Sequence, residues 1–416
     1  MLRTTFKGIS AHKRRLLSTS SAVLLGVAFL CGTLILGDTL RAGFADLFTE
    51  ANAGTDAVVR SSTEVGDDEV SERGLLDASV VDTVRGVDGV ATAEPLIEGT
   101  GQIVGADGDP LGGNGPPTVA GNWVADRGLN PYELDRGEAP RRDGEVVIDE
   151  ASAEEGDLHI GDTTTICTPE PIEVTIVGLV RFGDAESAGP VTYAGFTADY
   201  AERILLPAPG SVTSVLVAAD PGVSQAELVD RLEPVLPDGA EALTGAELTQ
   251  EQRDAIESDF LGFFTAFITA FAVVAMVVAT FSIYNTFSIL VAQRTRESAL
   301  LRALGASRRQ VLTSVGIEAL VIGVVASGVG VAVGLALASG LLALTTALGL
   351  GEIADGLTVH AGSMVVAAVV GVVATLIASV APAVKASRVR PLAALRDVAV
   401  DRSGASVVRG VSGVLL

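Results

Sequence analysis

The sequence predicts an integral membrane α-helical protein, with four transmembrane helices, that carries one extracytoplasmic α+β domain. Three observations predict it: four long apolar runs, a charge balance that divides sharply by segment, and a polar stretch, residues 38–259, whose pattern mixes strands with helices. Hydrophobic residues make up 48% of the 416 and charged residues 19%, with mean hydropathy +0.47, yet the formal net charge is −23. Neither a uniformly apolar nor a uniformly acidic chain combines these values, so charge and apolar residues occupy different segments. The charge repels phosphate backbones, and 4% aromatic residues with one Trp make a poor base-stacking platform, which excludes nucleic acid as a partner. Two Cys exclude a disulfide scaffold.

The first apolar run, residues 19–37, has no charge and approaches the roughly 20 residues of a bilayer-crossing helix. It follows Lys13, Arg14 and Arg15, as a signal peptide would. Its length exceeds a typical signal core, no A-x-A site follows it, and bulky Leu30 precedes Cys31, so it reads as an uncleaved anchor behind a cytosolic tail, residues 1–18. The second run, 260–291, would form about 48 Å of helix at 1.5 Å per residue, enough to cross and project beyond the membrane. The third, 311–350, is long for one crossing and short for two, and is expected to be one helix that bends or turns near its outer end. A short outer loop, 351–361, leads to the fourth run, 362–384, expected to stop at Pro382 and Lys385. The tail, 385–416, closes with GVSGVLL, which looks like the opening of another apolar segment. A natural four-helix protein and a shortened ten-helix one are both compatible with that ending.

Within 38–259, β-like runs at 55–59, 145–148, 173–180 and 212–218 alternate with helix-like runs at 71–85 and 224–236. Gly and Pro clusters at 107–117 and 182–190 read as loops. This predicts one compact α+β domain or two small lobes.

Charge sets the orientation. Residues 1–18, 292–310 and 385–410 hold 16 of the 28 Lys and Arg and carry +13, whereas 38–259 holds 12 Arg, no Lys and 45 acidic residues and carries −33. By the positive-inside rule the basic segments are cytosolic, which puts the acidic domain outside. A plasma (inner) membrane, multi-pass location follows.

Several chemistries lack their residues. The three Lys are followed by Gly8, Arg14 and Ala386, so no Walker A loop exists and the chain cannot hydrolyse ATP alone. There is no G-x-S-x-G elbow and no H-E-x-x-H. His12, His159 and His360 are scattered over the cytosolic tail, the outer domain and the outer loop and cannot share one metal. No catalytic, cofactor or metal residue is therefore assigned.

The most specific segment is QRTRESALLRALGASRRQV, residues 293–311. Residues 293–304 would form a short amphipathic helix with apolar Leu300 and Leu304 and basic Arg294, Arg296 and Arg302. Gly305 would end it in the left-handed conformation, and Ser307 would cap the next helix with Gln310 completing a capping box. Two readings stand: an interfacial helix whose arginines meet anionic membrane lipid, or a coupling helix that docks a cytosolic partner. Glu318, about two turns inside the third run, is expected to reach headgroup water or pair with Arg308 or Arg309. Small residues recur every four positions at Ala326, Gly330, Gly334 and Ala338, and at Ala367, Gly371, Thr375 and Ser379, which predicts close helix packing.

The string RTRESALLRALGASRRQVLTSVGIEALVIG resembles the signature of FtsX/MacB-type permeases of ABC transporters, as does APAVKASRVRPLAALRDVA. GEVVIDEASAEEGDLHIGDTTTI, followed by EVTIVGLV, is similar to the MacB-like periplasmic core domain. The resemblance implies a permease that couples ATP hydrolysis by a separate cytosolic ABC ATPase, which would hold the ATP and Mg, to motion of the outer domain. Pairing with a second permease copy or a second permease half is implied too. Arg296, Glu297, Arg302, Gly305 and Ser307 fall on the family's cytosolic motif. With Arg294, Leu300, Leu304 and Arg308 they form the candidate ATPase-coupling set. Export or extraction of a substrate such as a protein or peptide client is the first function implied. The alternative is a non-transporting mechanotransmission regulator of a cell-wall hydrolase, or a sensor.

Overall fold

The computed structural model describes residues 13–67, 70–112, 117–183, 185–257, 262–293, 307–347 and 356–388. Among the described residues, four helices are long and apolar enough to cross a membrane, with spans Ser20–Ala51, Thr265–Ile289, Arg308–Leu344 and Ala361–Lys385. They belong to helices Lys13–Ala51, Gly262–Gln293, Arg308–Ala347 and Ala361–Arg388, here the first to fourth long helices.

Two boundaries differ from the sequence reading. The first apolar run ends at Gly37, but its helix continues to Ala51 through DTLRAGFADLFTEA, whose charged residues leave the i to i−4 backbone ladder intact. The third helix is continuous from Arg308 to Ala347, and the end of its run, 348–350, where a bend or turn is expected, lies outside the described residues. The fourth continues to Arg388 with Pro382 inside it, since Pro removes one ladder bond without requiring the helix to stop there.

The contacts divide the chain into two units, one of helices and one centred on residues 36–265. Among the described residues the second unit holds two large sheets and two two-stranded ones. A four-stranded antiparallel sheet has the order Ala240–Thr244, Ala57–Ser61, Ser214–Ala219, Val90–Leu96. A mixed eight-stranded sheet places Glu145–Asp149 between Thr192–Phe196 and Pro171–Phe182. Val59, Val215 and Val217 of the first sheet and Ile148, Ile176 and Phe196 of the second belong to one buried cluster. The two large sheets therefore share a single core. Helix Gln225–Leu232 adds Leu228 and Leu232, one turn apart, to that core.

The helix expected over 71–85 is a correction. Val70–Arg73 pairs with Glu64–Asp67 as a hairpin, and the helix begins only at Ser79, where the Asp77 carboxylate accepts the Ser79 amide at 2.9 Å.

Asp149 joins three elements. It ends a central strand at 1% exposure, caps helix Glu150–Glu155 by accepting the Ser152 amide at 2.9 Å and hydroxyl at 2.7 Å, and accepts the Tyr193 amide of the neighbouring strand at 2.7 Å. Burial pushes its carboxyl up from the ordinary 3.8 to about 6, against the lowering effect of these bonds. A folded pKa above the unfolded one gives stability that is present at low pH and lost as pH rises through 6. The stability of the protein relative to Asp149→Asn should thus fall by about 3 kcal/mol between pH 3 and pH 7, at 1.36 kcal/mol per unit. Denaturant unfolding followed by the fluorescence of Trp123, the chain's single Trp, reads this directly. A constant difference across that range would contradict it.

Candidate functional site

Of the coupling set, Arg294, Arg296, Glu297, Leu300, Arg302, Leu304 and Gly305 lie outside the described residues. Ser307 and Arg308 are described. The Ser307 amide donates to Gln310 Oε1 at 2.9 Å, and the Gln310 amide donates to Ser307 Oγ at 3.3 Å. This capping box satisfies two of the amides that a helix start leaves unpaired, and it fixes where the third long helix begins. Arg308 and Arg309 are exposed at that start, while Val311, one turn on, is buried.

Of the two expectations for Glu318, contact with headgroup water does not fit its burial. It is 4% exposed and shares the buried face that runs through Val311, Ile322 and Ala326, at spacings of seven, four and four. Its position on that face, rather than its distance from the run's end, decides its burial.

The small residues meet as follows. A Cβ on Gly330 would stand 2.9 Å from Val27 Cβ and 3.0 Å from the Leu24 carbonyl oxygen. On Gly334 it would stand 2.7 Å from the Ala28 carbonyl oxygen, and on Gly371 it would overlap Val27 Cγ2. Ala326 and Ala338 are 2% and 0% exposed. The first helix thus packs against both the third and the fourth at positions where only hydrogen fits. Its own buried face is Val23, Val27, Ala28, Cys31 and Ile35, a helical repeat.

Sequence spacing gave no sign of two further groups. Helix Gly245–Ile256 follows edge strand Ala240–Thr244 directly, through a capping box between Thr244 and Glu247. Its Glu251 accepts from Arg60 and Arg73, and both arginines also bind Glu241, at 2.5–3.0 Å in all. Arg60 is 8% exposed, so the two carboxylates pair a guanidinium that burial would otherwise penalise.

The same helix is tied to the end of the first long helix. Asn52 Nδ2 donates to Gln252 Oε1 at 2.7 Å and to Thr249 Oγ1 at 3.1 Å. Arg253 donates to the Ala45 carbonyl oxygen at 3.0 Å and to Thr49 Oγ1 at 2.6 Å, and Arg41 lies 3.4 Å from Glu257. These partners are about 200 residues apart in sequence. A helix fixed to a sheet edge at one end and to a second helix along its length is suited to passing displacement, since few of its contacts can slip independently.

The profile for the MacB-like periplasmic core domain matches residues 16–235, and that for the FtsX-like permease C-terminal region matches residues 269–391. An uncharacterized ABC transporter permease protein of Mycobacterium tuberculosis is 29% identical over 261 residues, 60% of this chain and 29% of that protein. The macrolide export ATP-binding/permease protein MacB of Bdellovibrio bacteriovorus is 23% identical over 435 residues, 95% of this chain and 61% of that protein. The chain therefore spans less than two thirds of the length of either relative. The crystal structure of the periplasmic region of MacB from Actinobacillus actinomycetemcomitans aligns with a TM-score of 0.35 and 13% identity, covering 48% of this chain and 94% of that one.

Proposed function

The chain belongs to the FtsX/MacB-type permease family, and from that premise we propose that it is a permease subunit coupled to a separate cytosolic ABC ATPase. It is a multi-pass membrane protein with a large extracytoplasmic domain. Two copies work as a pair in this reading. ATP-driven closure of the ATPase dimer draws the two 293–304 segments together, the long helices move, and the outer domain exports or extracts a client. The observation that carries the reading is the tie between helix Gly245–Ile256, the sheet edge at Thr244 and the end of the first long helix. Residues on both sides of the large domain meet there, so displacement of the end of the first long helix would reach the sheet edge through these bonds.

Supply of ATP by a partner is supported by the sequence, which has no Lys-Ser or Lys-Thr behind a glycine loop. The MacB relative is an ATP-binding/permease protein, and this chain spans 61% of it. Its −33 charge and lack of Lys suit the outer domain to cationic or neutral clients over anionic ones, weakly and with dependence on salt. The test is reconstitution of the full chain in lipid nanodiscs with candidate ABC ATPases of the same organism. Co-purification and a change in ATP turnover when the chain is present are expected. An ATPase that neither binds the chain nor changes its rate overturns the proposal.

A further inference from the structure

One face of the mixed eight-stranded sheet is nearly bare where its edge strand joins it. Glu98 of edge strand Glu98–Thr100 stands opposite Gly121 of strand Thr118–Asn122, Gly121 lies beside Gly195, and Gly195 stands opposite Val147. Paired residues point to the same face, and neighbouring strands lie about 4.8 Å apart. Glu98 and Gly195 are thus about 10 Å apart, with no side chain between them at Gly121. Val119 and Trp123, two positions to either side of Gly121, are partly buried and pack against the cluster of Val147, Val180 and Tyr193 on this face. Tyr193 lies over Gly195, where a Cβ would stand 2.8 Å from the Tyr193 hydroxyl oxygen. That hydroxyl donates to the Asn122 carbonyl oxygen at 3.4 Å, and Tyr132 stacks on the Tyr193 ring with centroids 3.7 Å apart.

The first side-chain atom that a Cβ on Gly121 would meet is Glu98 Cγ, at 3.7 Å. Gly121 is therefore the floor of a niche, with Glu98 on one side, the Tyr193 hydroxyl on the other, and Val119 and Trp123 at its ends. Glu98 is exposed, and its carboxylate has no hydrogen-bond or ion-pair partner among the described residues. Burial nevertheless raises its pKa, as it does for a carboxyl that meets water on one side and dense protein on the others. Burial, and after it neighbouring charge that includes Glu98, also raises the Tyr132 and Tyr193 hydroxyls, so both stay protonated. An exposed carboxylate in such surroundings lines a cleft rather than a convex surface.

We propose that this niche binds an ammonium group carried on an apolar body, such as the amine of a client. The Glu98 carboxylate neutralises the cation and accepts its hydrogen bonds. The Tyr193 oxygen, whose proton is directed at Asn122, accepts as well. Trp123 and Val119 receive the apolar part, and an indole ring is the side chain best suited to lie beside a cation. A divalent metal would need several more ligands than one carboxylate, and among the described residues no group of three His, Cys, Asp or Glu could hold one. The −33 charge of the domain disfavours an anion. The inference rests on the reading that the outer domain handles a client, and adds where a cationic one is held. Its test needs no ATPase, so a failure here leaves the coupling reading standing.

The full chain in detergent is titrated with phenethylamine, followed by the fluorescence of Trp123, the chain's single Trp, and by equilibrium dialysis of the labelled amine. Saturable binding is expected, with neutral 2-phenylethanol and anionic 3-phenylpropionate at least about tenfold weaker. Glu98→Gln keeps the size of an exposed edge-strand residue and should weaken the amine at least about fivefold. Glu173→Gln, which removes an exposed carboxylate elsewhere on the same sheet, should leave binding as it was. Amine binding that is unchanged in Glu98→Gln, or that falls equally in Glu173→Gln, overturns Glu98 as the counter-ion. Equal binding of 2-phenylethanol overturns the cationic ligand class. No saturable binding by either readout up to about 10 mM overturns the niche altogether.

Discussion

Leu304→Arg is expected to abolish recovery of the ATPase with the chain, while leaving the chain in the membrane at its normal level. In the amphipathic helix that the sequence predicts over 293–304, Leu304 falls on the apolar side with Leu300 one turn before it. If that side docks into a protein groove, the substitution sets an unpaired guanidinium against apolar surface. A buried charge without a partner costs about 3 kcal/mol or more, on the order of a hundredfold in Kd. If that side instead rests on lipid, an added arginine meets anionic headgroups and the ATPase is unaffected. The same substitution thus separates the two readings of this segment. The measurement is co-purification of the two subunits together with ATP turnover, and unchanged values would assign the segment to lipid.

Gly334→Leu is expected to open the packing of the first and third long helices. A Cβ at this position would stand 2.7 Å from the Ala28 carbonyl oxygen and 2.8 Å from Cys31 Cβ, and backbone cannot turn aside as a side chain can. Separating the helices enough to admit a leucine costs about 2–3 kcal/mol. Cys31 reports it, because its thiol is fully buried in this contact. In a Cys167→Ser background, labelling of Cys31 by a membrane-permeant maleimide should rise at least about tenfold. Gly328→Leu, where an added Cβ meets nothing within 4 Å, should leave labelling as it was. Equal labelling of the two variants would mean that the glycine stripe does not set the helix spacing.

Much of the fold was legible because the signals were local. The long helices follow from apolar length, and strands Glu145–Asp149 and Pro171–Phe182 from their Val and Ile content. The capping box at Ser307 follows from two residues three apart. Misreadings arose where a local signal met a distant partner. Residues 71–85 have helical spacing, but Val70–Arg73 is held as a strand by Glu64–Asp67. The first helix outruns its apolar stretch because its last turns are tied by Arg253 and Gln252 from the far side of the domain. The square of Arg60, Arg73, Glu241 and Glu251 spans separations of 168 to 191 residues, which no motif encodes. Glu318 was judged by its distance from the end of an apolar run, when the face it occupies decides its burial.

The tie between Asn52 and Gln252 has a consequence for how such proteins diversify. Some 200 residues of sheet and helix leave the chain and return to it at neighbouring points, as an insertion in a helical hairpin would. A recombination that replaced the segment between those two residues would exchange the extracytoplasmic domain in one event. The graft would need only to present its two ends a few ångströms apart, and the membrane machinery on either side could be inherited unchanged.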